Sequence, residues 1–414
     1  MNKIKNIFIN FKFRNFRLFF PSIALIQAGV WAQQVVFSWL IYKYTQNALN
    51  MGIIMFLNTI PTFILTLVIG PIIDKFDRHK LLKFVQFLYI CQSVSLLIFE
   101  STGFLNIYCV IFFSILLNSI SALESPIRQS SYILVVPDRK CLVNAISMDS
   151  FCYGFAKVIG TSLGGFLSYL SISFCLFTCT LFFITSFLLI SKMSFKDIKF
   201  VSIKSQNIFK SISLGFIYSI KNYWVIIFQI YLFFFNTITG SYKILLPILI
   251  SVVLGENIDD LGYFLTAIGF GSIITSLVFS TKKSVRVFRI FLFIGCLLVS
   301  TVFIFVGSCS NYYLILCAMF FLGVGRIFFS CSQNILVQSV VDDYIRGRVM
   351  SINSLASLGT ASLSSIIVGI IVHKFGINIS FILLGCTIFF IACILSNLCY
   401  IISKINLKNA IKTE

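Results

Sequence analysis

The sequence predicts an all-α membrane protein with twelve transmembrane helices arranged as two six-helix pseudo-repeats. Of the 414 residues, 58% are hydrophobic and 11% are charged, and the mean hydropathy is +1.00, whereas soluble domains carry about 25% charged residues. Long apolar runs recur along the whole chain, and about 20 apolar residues are enough to cross a bilayer as a helix. A helix also bonds its own backbone polar groups, as hydrocarbon requires.

The positions of the apolar runs define the individual spans. Each run is bounded by a short polar loop, and the long polar stretch after residue 192 is the only extended interruption. The predicted spans are 16–43, 49–73, 80–100, 104–125, 143–169, 172–192, 223–253, 260–280, 287–307, 311–333, 348–373 and 377–402.

Lysine and arginine fix the orientation of these spans. On the predicted topology, 27 of the 32 basic residues, including Arg128 in the loop after the fourth span, fall on one side. Loops rich in Lys and Arg remain in the cytoplasm, so both termini are expected there. The net charge of +19 then reflects orientation and contact with anionic lipid, and nucleic-acid binding is not expected. The basic start runs into a full-length span, so no cleavable signal is predicted.

The chain is predicted to divide into two halves. Residues 1–192 form an N-terminal six-helix bundle, 193–222 a cytoplasmic amphipathic linker, and 223–414 a C-terminal six-helix bundle. The halves resemble each other, since "VVPDRKCLVNAISMDS" at 135–150 corresponds to "SVVDDYIRGRVMSINS" at 339–354. Two such repeats are typical of transporters, whose substrate site lies near the bilayer midplane.

A loop motif between the second and third spans connects the sequence to a known family. The stretch "GPIIDKFDRHKLL" at 70–82 resembles the loop signature of the major facilitator superfamily. The stretches "GVWAQQVVFSWLIYKYTQNALNMG", "ESPIRQSSYILVVPD" and "YIRGRVMSINSLASLG" are similar to the branch that contains enterobactin-type siderophore exporters and macrolide efflux proteins. The resemblance covers nearly the whole chain and implies the major facilitator fold and alternating access.

The resemblance also implies roles for residues near the cytoplasmic face. In that family the loop aspartate helps to close the cytoplasmic gate, which here corresponds to Asp74, and we expect Asp74 to approach the start of the eleventh span. The expected gate residues are Gly70, Asp74, Lys75, Arg78, Arg346 and Arg348. The alternative is that these charges are ordinary solvated loop residues.

A glycine-rich stretch in the fifth span resembles a signature of drug antiporters. In "AKVIGTSLGG" at 156–165, Ala156 replaces a glycine and Thr161 replaces the usual proline of that signature. These departures weaken the inference of antiport. Close helix packing or bending is expected at Gly154, Gly160, Gly164 and Gly165.

Of the other five basic residues, Lys43 and Lys374 lie at span ends on the opposite side, and Lys157, Lys243 and Arg326 lie inside predicted spans. A cation at the bilayer centre costs about 2.5–3.5 kcal/mol on insertion scales, so it normally faces a cavity or a partner. With polar residues of the first span they predict a positive cavity for an anionic solute, comprising Trp31, Gln33, Gln34, Lys157, Lys243 and Arg326. Alternatively, Lys243 reaches the outer interface, and Lys157 or Arg326 pairs with Glu124, with Asp149 or with backbone carbonyls that lack another partner.

The sequence indicates transport and contains no catalytic motif. Glu124 and Asp149 are the acids available for proton coupling, which the resemblance implies. There is no phosphate-binding loop and no nucleophile–base pair, so no enzyme activity is expected. Only two histidines occur, so neither a metal site nor a cofactor is predicted.

The expected function is export of a small amphiphilic or anionic solute, such as a siderophore, across the bacterial inner membrane. The expected partners are a small-molecule substrate and membrane lipid, and the chain is expected to be monomeric. The alternatives are a multidrug or macrolide efflux protein of the same fold, and a membrane ligand sensor that does not transport.

Overall fold

The computed structural model describes residues 9–135, 139–193, 216–240, 242–255, 258–280, 285–341 and 345–412. Each predicted span corresponds to helical structure within this part of the chain, and the fold is all-α. The helices are α1 (Arg14–Thr45), α2 (Ala48–Lys75), α3 (Arg78–Ser101), α4 (Ile107–Val135), α5 (Arg139–Leu170), α6 (Ile172–Ser191), α7 (Tyr223–Thr239), α8 (Tyr242–Leu249), α9 (Ile258–Ser280), α10 (Val285–Ser308), α11 (Tyr312–Val340), α12 (Arg346–Phe375) and α13 (Ile377–Lys412).

The hydropathy of the helices agrees with a membrane environment. Among the described residues, eight helical segments are long and apolar enough to cross a bilayer. Their exposed side chains include many large apolar residues, among them Phe87, Phe112 and Phe390, which would be costly to present to water. The protein is therefore a multi-pass membrane protein.

The fourth span is longer than predicted. Helix α4 continues to Val135 and contains Pro126, although the span was expected to end at residue 125. Proline normally ends or kinks a helix, yet α4 continues past Pro126. The extension places Arg128 within the helix, where it is 4% exposed. The assignment of Arg128 to a cytoplasmic loop was therefore wrong.

The seventh span is divided. Helix α7 ends at Thr239, α8 begins at Tyr242, and a π-helical turn follows at Ile250–Leu254. Gly255 closes this turn with φ of +67°, a left-handed conformation that glycine adopts without strain. Lys243 thus lies in the first turn of a short helix, and its side chain is exposed.

The chain forms two compact units. The first comprises Met1–Ser205 and Leu246–Gly269, and the second comprises Gln206–Leu245 and Phe270–Glu414. Residues 246–269, which the sequence assigns to the second half, thus group with the first unit. The division at 192 and 223 stays a prediction, and most of the predicted linker, 194–215, lies outside the described residues.

Helix α1 is the centre of the first unit, where it packs against α4, α5 and α6. In the second unit, α10 packs against α11 and α13, while α7 packs against α11, α12 and α13. The rings of Phe235 on α7 and Phe329 on α11 stack with centroids 3.6 Å apart, which brings these two helices into close contact.

Small residues allow α1 and α5 to approach closely. A methyl group on Gly164 would lie 2.8 Å from the Cα of Ala32, and one on Gly160 would lie 2.9 Å from the Cα of Ala28. Small residues four apart on both helices permit such backbone contact. On another face of α5, Gly165 meets Gly262 of α9. Gly154 has open space beside it, so the expectation of close packing fails there.

Replacing Gly164 by alanine is expected to lower the free energy of unfolding by about 1–3 kcal/mol relative to Gly154→Ala. Both substitutions gain the same helix propensity, so their difference measures the clash with the Ala32 backbone. Thermal unfolding of the two purified variants in detergent gives the comparison, and equal transition temperatures would contradict the packing assignment.

Candidate functional site

The first unit contains a buried cluster of three charged residues. The Nε of Arg128 donates to Glu124 Oε1 at 2.7 Å, and its Nη1 donates to Asp149 Oδ1. Glu124 is 3% exposed and Arg128 is 4% exposed. The cluster joins α4 to α5, and its formal charge is −1 when both acids are ionised.

A glutamine of α1 completes this cluster. Gln27 is buried, and its Nε2 donates to Glu124 Oε2 at 3.3 Å. Glu124 therefore accepts from Gln27 and from Arg128, and Asp149 accepts from Arg128. The Asp149 side chain is also more accessible, with 13% exposure against 4% for that of Glu124. Asp149 is thus the acid better placed to exchange a proton with water.

Lys157 lies further along α5, against an aromatic ring. Its ammonium is 4.2 Å from the centroid of the Trp31 ring, and Tyr153 packs edge-on to that ring with centroids 6.2 Å apart. A cation over a tryptophan face gains about 0.5–2 kcal/mol. Lys157 follows Asp149 by eight residues, or about 12 Å along the helix axis.

The charged cluster and Lys157 share one stripe of α1. Gln27, Trp31 and Gln34 are spaced four and three residues apart, so they lie on the same side of the helix. Gln27 contacts Glu124 and Trp31 contacts Lys157, while Gln34 is half-buried. The structure therefore brings together Trp31, Lys157, Glu124 and Asp149, with Gln34 on the same stripe.

Gln33 occupies a different environment from the other predicted cavity residues. It is fully buried, and its Nε2 donates to Ser93 Oγ of α3 at 2.9 Å. The Ser93 hydroxyl lies 2.7 Å from the Thr180 hydroxyl of α6. Gln33 thus joins helices inside the first unit, as neutral polar groups do in a membrane.

Arg326 and Tyr242 form a second cation–aromatic contact, within the second unit. The guanidinium carbon of Arg326 on α11 lies 4.6 Å from the centroid of the Tyr242 ring. Tyr242 is the first residue of α8 and precedes Lys243, so Arg326 and Lys243, the two predicted intramembrane cations of this unit, are both associated with the start of α8.

The second unit also contains an amide cluster that sequence reasoning missed. Gln333 donates through Nε2 to Asn353 Oδ1 at 2.8 Å, and Asn353 donates through Nδ2 to Asn334 Oδ1 at 3.0 Å. Gln333 and Asn353 are buried. The repeat between 135–150 and 339–354 aligns Asn353 with Asp149 and places Gln333 one residue beyond the counterpart of Arg128. That repeat was the signal that would have found this cluster.

Residues of the 70–82 motif hold the ends of other helices. Asp77 caps α3 by accepting from the backbone N–H of His79 at 2.8 Å. Arg78 donates through Nη1 to the carbonyl of Ser130 on α4 at 2.8 Å, and His79 Nε2 donates to the carbonyl of Ile190 on α6 at 3.0 Å. The motif therefore joins three helix ends of the first unit.

The proposed gate itself lies beyond what is described. Five of the expected gate residues are described only as helical backbone, namely Gly70, Asp74, Lys75, Arg346 and Arg348. The gate stays a prediction. Among the described residues, no group of three His, Cys, Asp or Glu side chains is placed to hold a metal ion.

Known proteins resemble this chain along almost its whole length. A family model described as "Transmembrane secretion effector" matches residues 7–411. The staphyloferrin A transporter of Staphylococcus aureus (strain NCTC 8325 / PS 47) is 24% identical over 392 residues, which cover 89% of this chain and 92% of that protein.

Solved structures of transporters share the fold. A variant of the nucleoside transporter NupG superposes with a TM-score of 0.73 at 11% identity, covering 92% of this chain and 99% of that one. A bacterial homologue of the lysosomal transporter Spinster gives 0.71 at 12% identity, over 92% and 95% of the two chains. A D-xylose–proton symporter gives 0.69 at 15% identity, over 92% and 96%.

Replacing Arg128 by methionine is expected to lower the free energy of unfolding by about 3–5 kcal/mol, because it leaves two buried carboxylates without their cation. Thermal unfolding in detergent measures the loss. The control is Gln129→Met, since Gln129 is the adjacent residue and is exposed.

The combined variant Arg128→Met, Glu124→Gln, Asp149→Asn separates charge from packing. If the loss is electrostatic, the two amide substitutions restore most of it. A combined variant as unstable as Arg128→Met alone would assign the loss to packing.

Proposed function

Because the chain belongs to the transmembrane secretion effector family of the major facilitator superfamily, we propose that it exports an anionic siderophore-like solute across the bacterial inner membrane. Transport would proceed by alternating access, with protons moving in the opposite direction. The relative from Staphylococcus aureus, a staphyloferrin A transporter, supports a siderophore as the substrate class.

The observation that carries the anionic part of the proposal is the placement of the buried cations. Arg128 is held by both nearby acids, Glu124 and Asp149. Lys157 and Arg326 each lie against an aromatic ring, and a ring face stabilises a cation. A carboxylate of the substrate binds strongly to such groups, and to arginine through two parallel hydrogen bonds.

The proton-coupling part rests on the charged cluster beside Lys157. The cluster carries one more acid than base, and Asp149 is its more accessible acid. Protonation of Asp149 would change the charge about 12 Å from the Lys157 ammonium along α5. An anion at Lys157 and a negative charge at Asp149 oppose each other, so anion binding and the protonation of Asp149 are linked.

Transport in inverted membrane vesicles tests the proposed function. Labelled staphyloferrin A is expected to accumulate when a proton gradient is imposed, without ATP. A protein that accumulates only a cationic dye would instead be a multidrug exporter, and one that binds the siderophore without accumulating it would be a sensor. Either result would overturn the proposal.

Neutralising either ring-bound cation is expected to weaken transport of the anion. Lys157→Gln and Arg326→Gln each remove a charge-assisted hydrogen bond worth about 1.5–3 kcal/mol, so the KM should rise roughly tenfold or more. The matched variants Lys157→Arg and Arg326→Lys keep the charge and should retain more activity. An equal effect of the Gln variants on a cationic substrate would contradict the anion assignment.

Asp149→Asn is expected to abolish the response of transport to the proton gradient while leaving siderophore binding intact. The amide cannot take up a proton, and asparagine already occupies the aligned position 353. Gradient-driven flux and equilibrium binding are measured on the same vesicles. Glu124→Gln is the comparison, because Glu124 is the less accessible acid, and loss of coupling in that variant alone would move the proton carrier to Glu124.

A further inference from the structure

A cleft between α3 and α4 of the first unit is separate from the charged residues discussed above. Its volume is about 630 Å³, within the range of about 300–1,000 Å³ that small-molecule sites occupy. Its lining residues run from Leu88 to Phe99 on α3 and from Asn106 to Ile120 on and before α4. The cleft therefore extends along much of the outer half of the predicted span.

One side chain in the cleft is out of place in an apolar surrounding. Gln92 lines the cleft, is 2% exposed, and has neither its Nε2 nor its Oε1 hydrogen-bonded within the described part of the chain. The buried glutamines Gln33 and Gln27 each donate to a neighbouring side chain. A buried amide without partners is destabilising, so Gln92 indicates that the cleft binds a ligand with a polar group.

The walls define the chemistry of that group. None of the lining residues is charged, so an ionised ligand would lose its hydration without a counter-charge. Phe113 contacts Phe99 and Phe112 edge-on, with centroids 5.6 and 5.3 Å apart, and Tyr108 adds a further ring. The occupant is therefore uncharged and mostly apolar.

The amide defines the polar end of the occupant. A glutamine side chain offers N–H donors and a carbonyl acceptor, and a hydroxyl satisfies both types through one oxygen atom. Ser95 lies about one turn further along α3 and also lines the cleft, so its hydroxyl is a further polar group near Gln92. Gln92 lies nine residues before the end of α3, or about 14 Å along the axis, so the ligand must reach this depth from within the bilayer.

We propose that the α3–α4 cleft binds an uncharged single-chain membrane lipid whose hydroxyl group bonds to Gln92, such as a fatty alcohol or an un-ionised fatty acid. The cleft is a site distinct from the anion-binding residues Lys157 and Arg326. Its volume suits one chain better than a two-chain phospholipid.

Photo-cross-linking of the full chain in lipid nanodiscs tests the proposal. A long-chain fatty alcohol carrying a diazirine is the probe, and mass spectrometry locates its adducts. Adducts are expected on cleft residues, and they should decrease when unlabelled fatty alcohol is added. Gln92→Leu keeps the size of the side chain but removes the amide, and it should reduce adduct yield about fivefold to tenfold through the lost hydrogen bonds.

Two further variants make the result specific. Phe112→Trp narrows the cleft with Gln92 intact and should also reduce labelling, which keeps the test valid if Gln92→Leu folds poorly. Phe87→Leu changes an exposed residue of α3 that does not line the cleft, and it should label normally. Adducts spread evenly over the apolar helix surfaces and unchanged by Gln92→Leu would overturn the proposal, as would a cleft without adducts.

Discussion

A charged side chain buried among apolar helices needs a partner, and Arg128 shows how this chain satisfies that requirement. Its guanidinium bonds to Glu124 on its own helix and to Asp149 on α5, and Gln27 of α1 bonds to the same Glu124. Three helices of the first unit are thereby joined through one charged cluster. Because a buried ion pair gives little net stability over apolar packing, and intramembrane charges are typically functional, this cluster indicates function rather than structural support.

Several buried neutral polar groups also have hydrogen-bond partners, and burying them costs less than burying a charge. The ladder of Gln33, Ser93 and Thr180 joins α1, α3 and α6 with uncharged hydrogen bonds, and close contact between Gly164 and Ala32 brings α1 against α5. Uncharged contacts therefore hold several helices of the first unit together. On the proposed function, the buried charges are therefore those that would bind and release a solute or a proton.

The helices themselves were largely predictable, because apolar run length and basic loops depend on local sequence. The predictions failed where tertiary packing decided the outcome. The fourth span was predicted to end at residue 125, but α4 stays helical past Pro126 to Val135, and so Arg128 was misplaced. Which face of α1 turns toward α3 could not be read from "GVWAQQ", so Gln33 was grouped with Trp31. The rings beside Lys157 and Arg326 belong to other helices, so the sequence around each cation could not predict these contacts.

The internal repeat allows the charged cluster to be compared with its counterpart in the second half. Asp149 and Asn353 occupy aligned positions, and each contacts the helix before it, through Arg128 in the first half and through Gln333 in the second. Since the amide version joins its helices without charge, the architecture of this helix pair does not itself require a carboxylate. At this aligned position the first half therefore has an acid that can gain and lose a proton, and the second half has an amide. On the proposed function, this asymmetry leaves one ionisable group of the aligned pair through which a proton and a solute would be coupled.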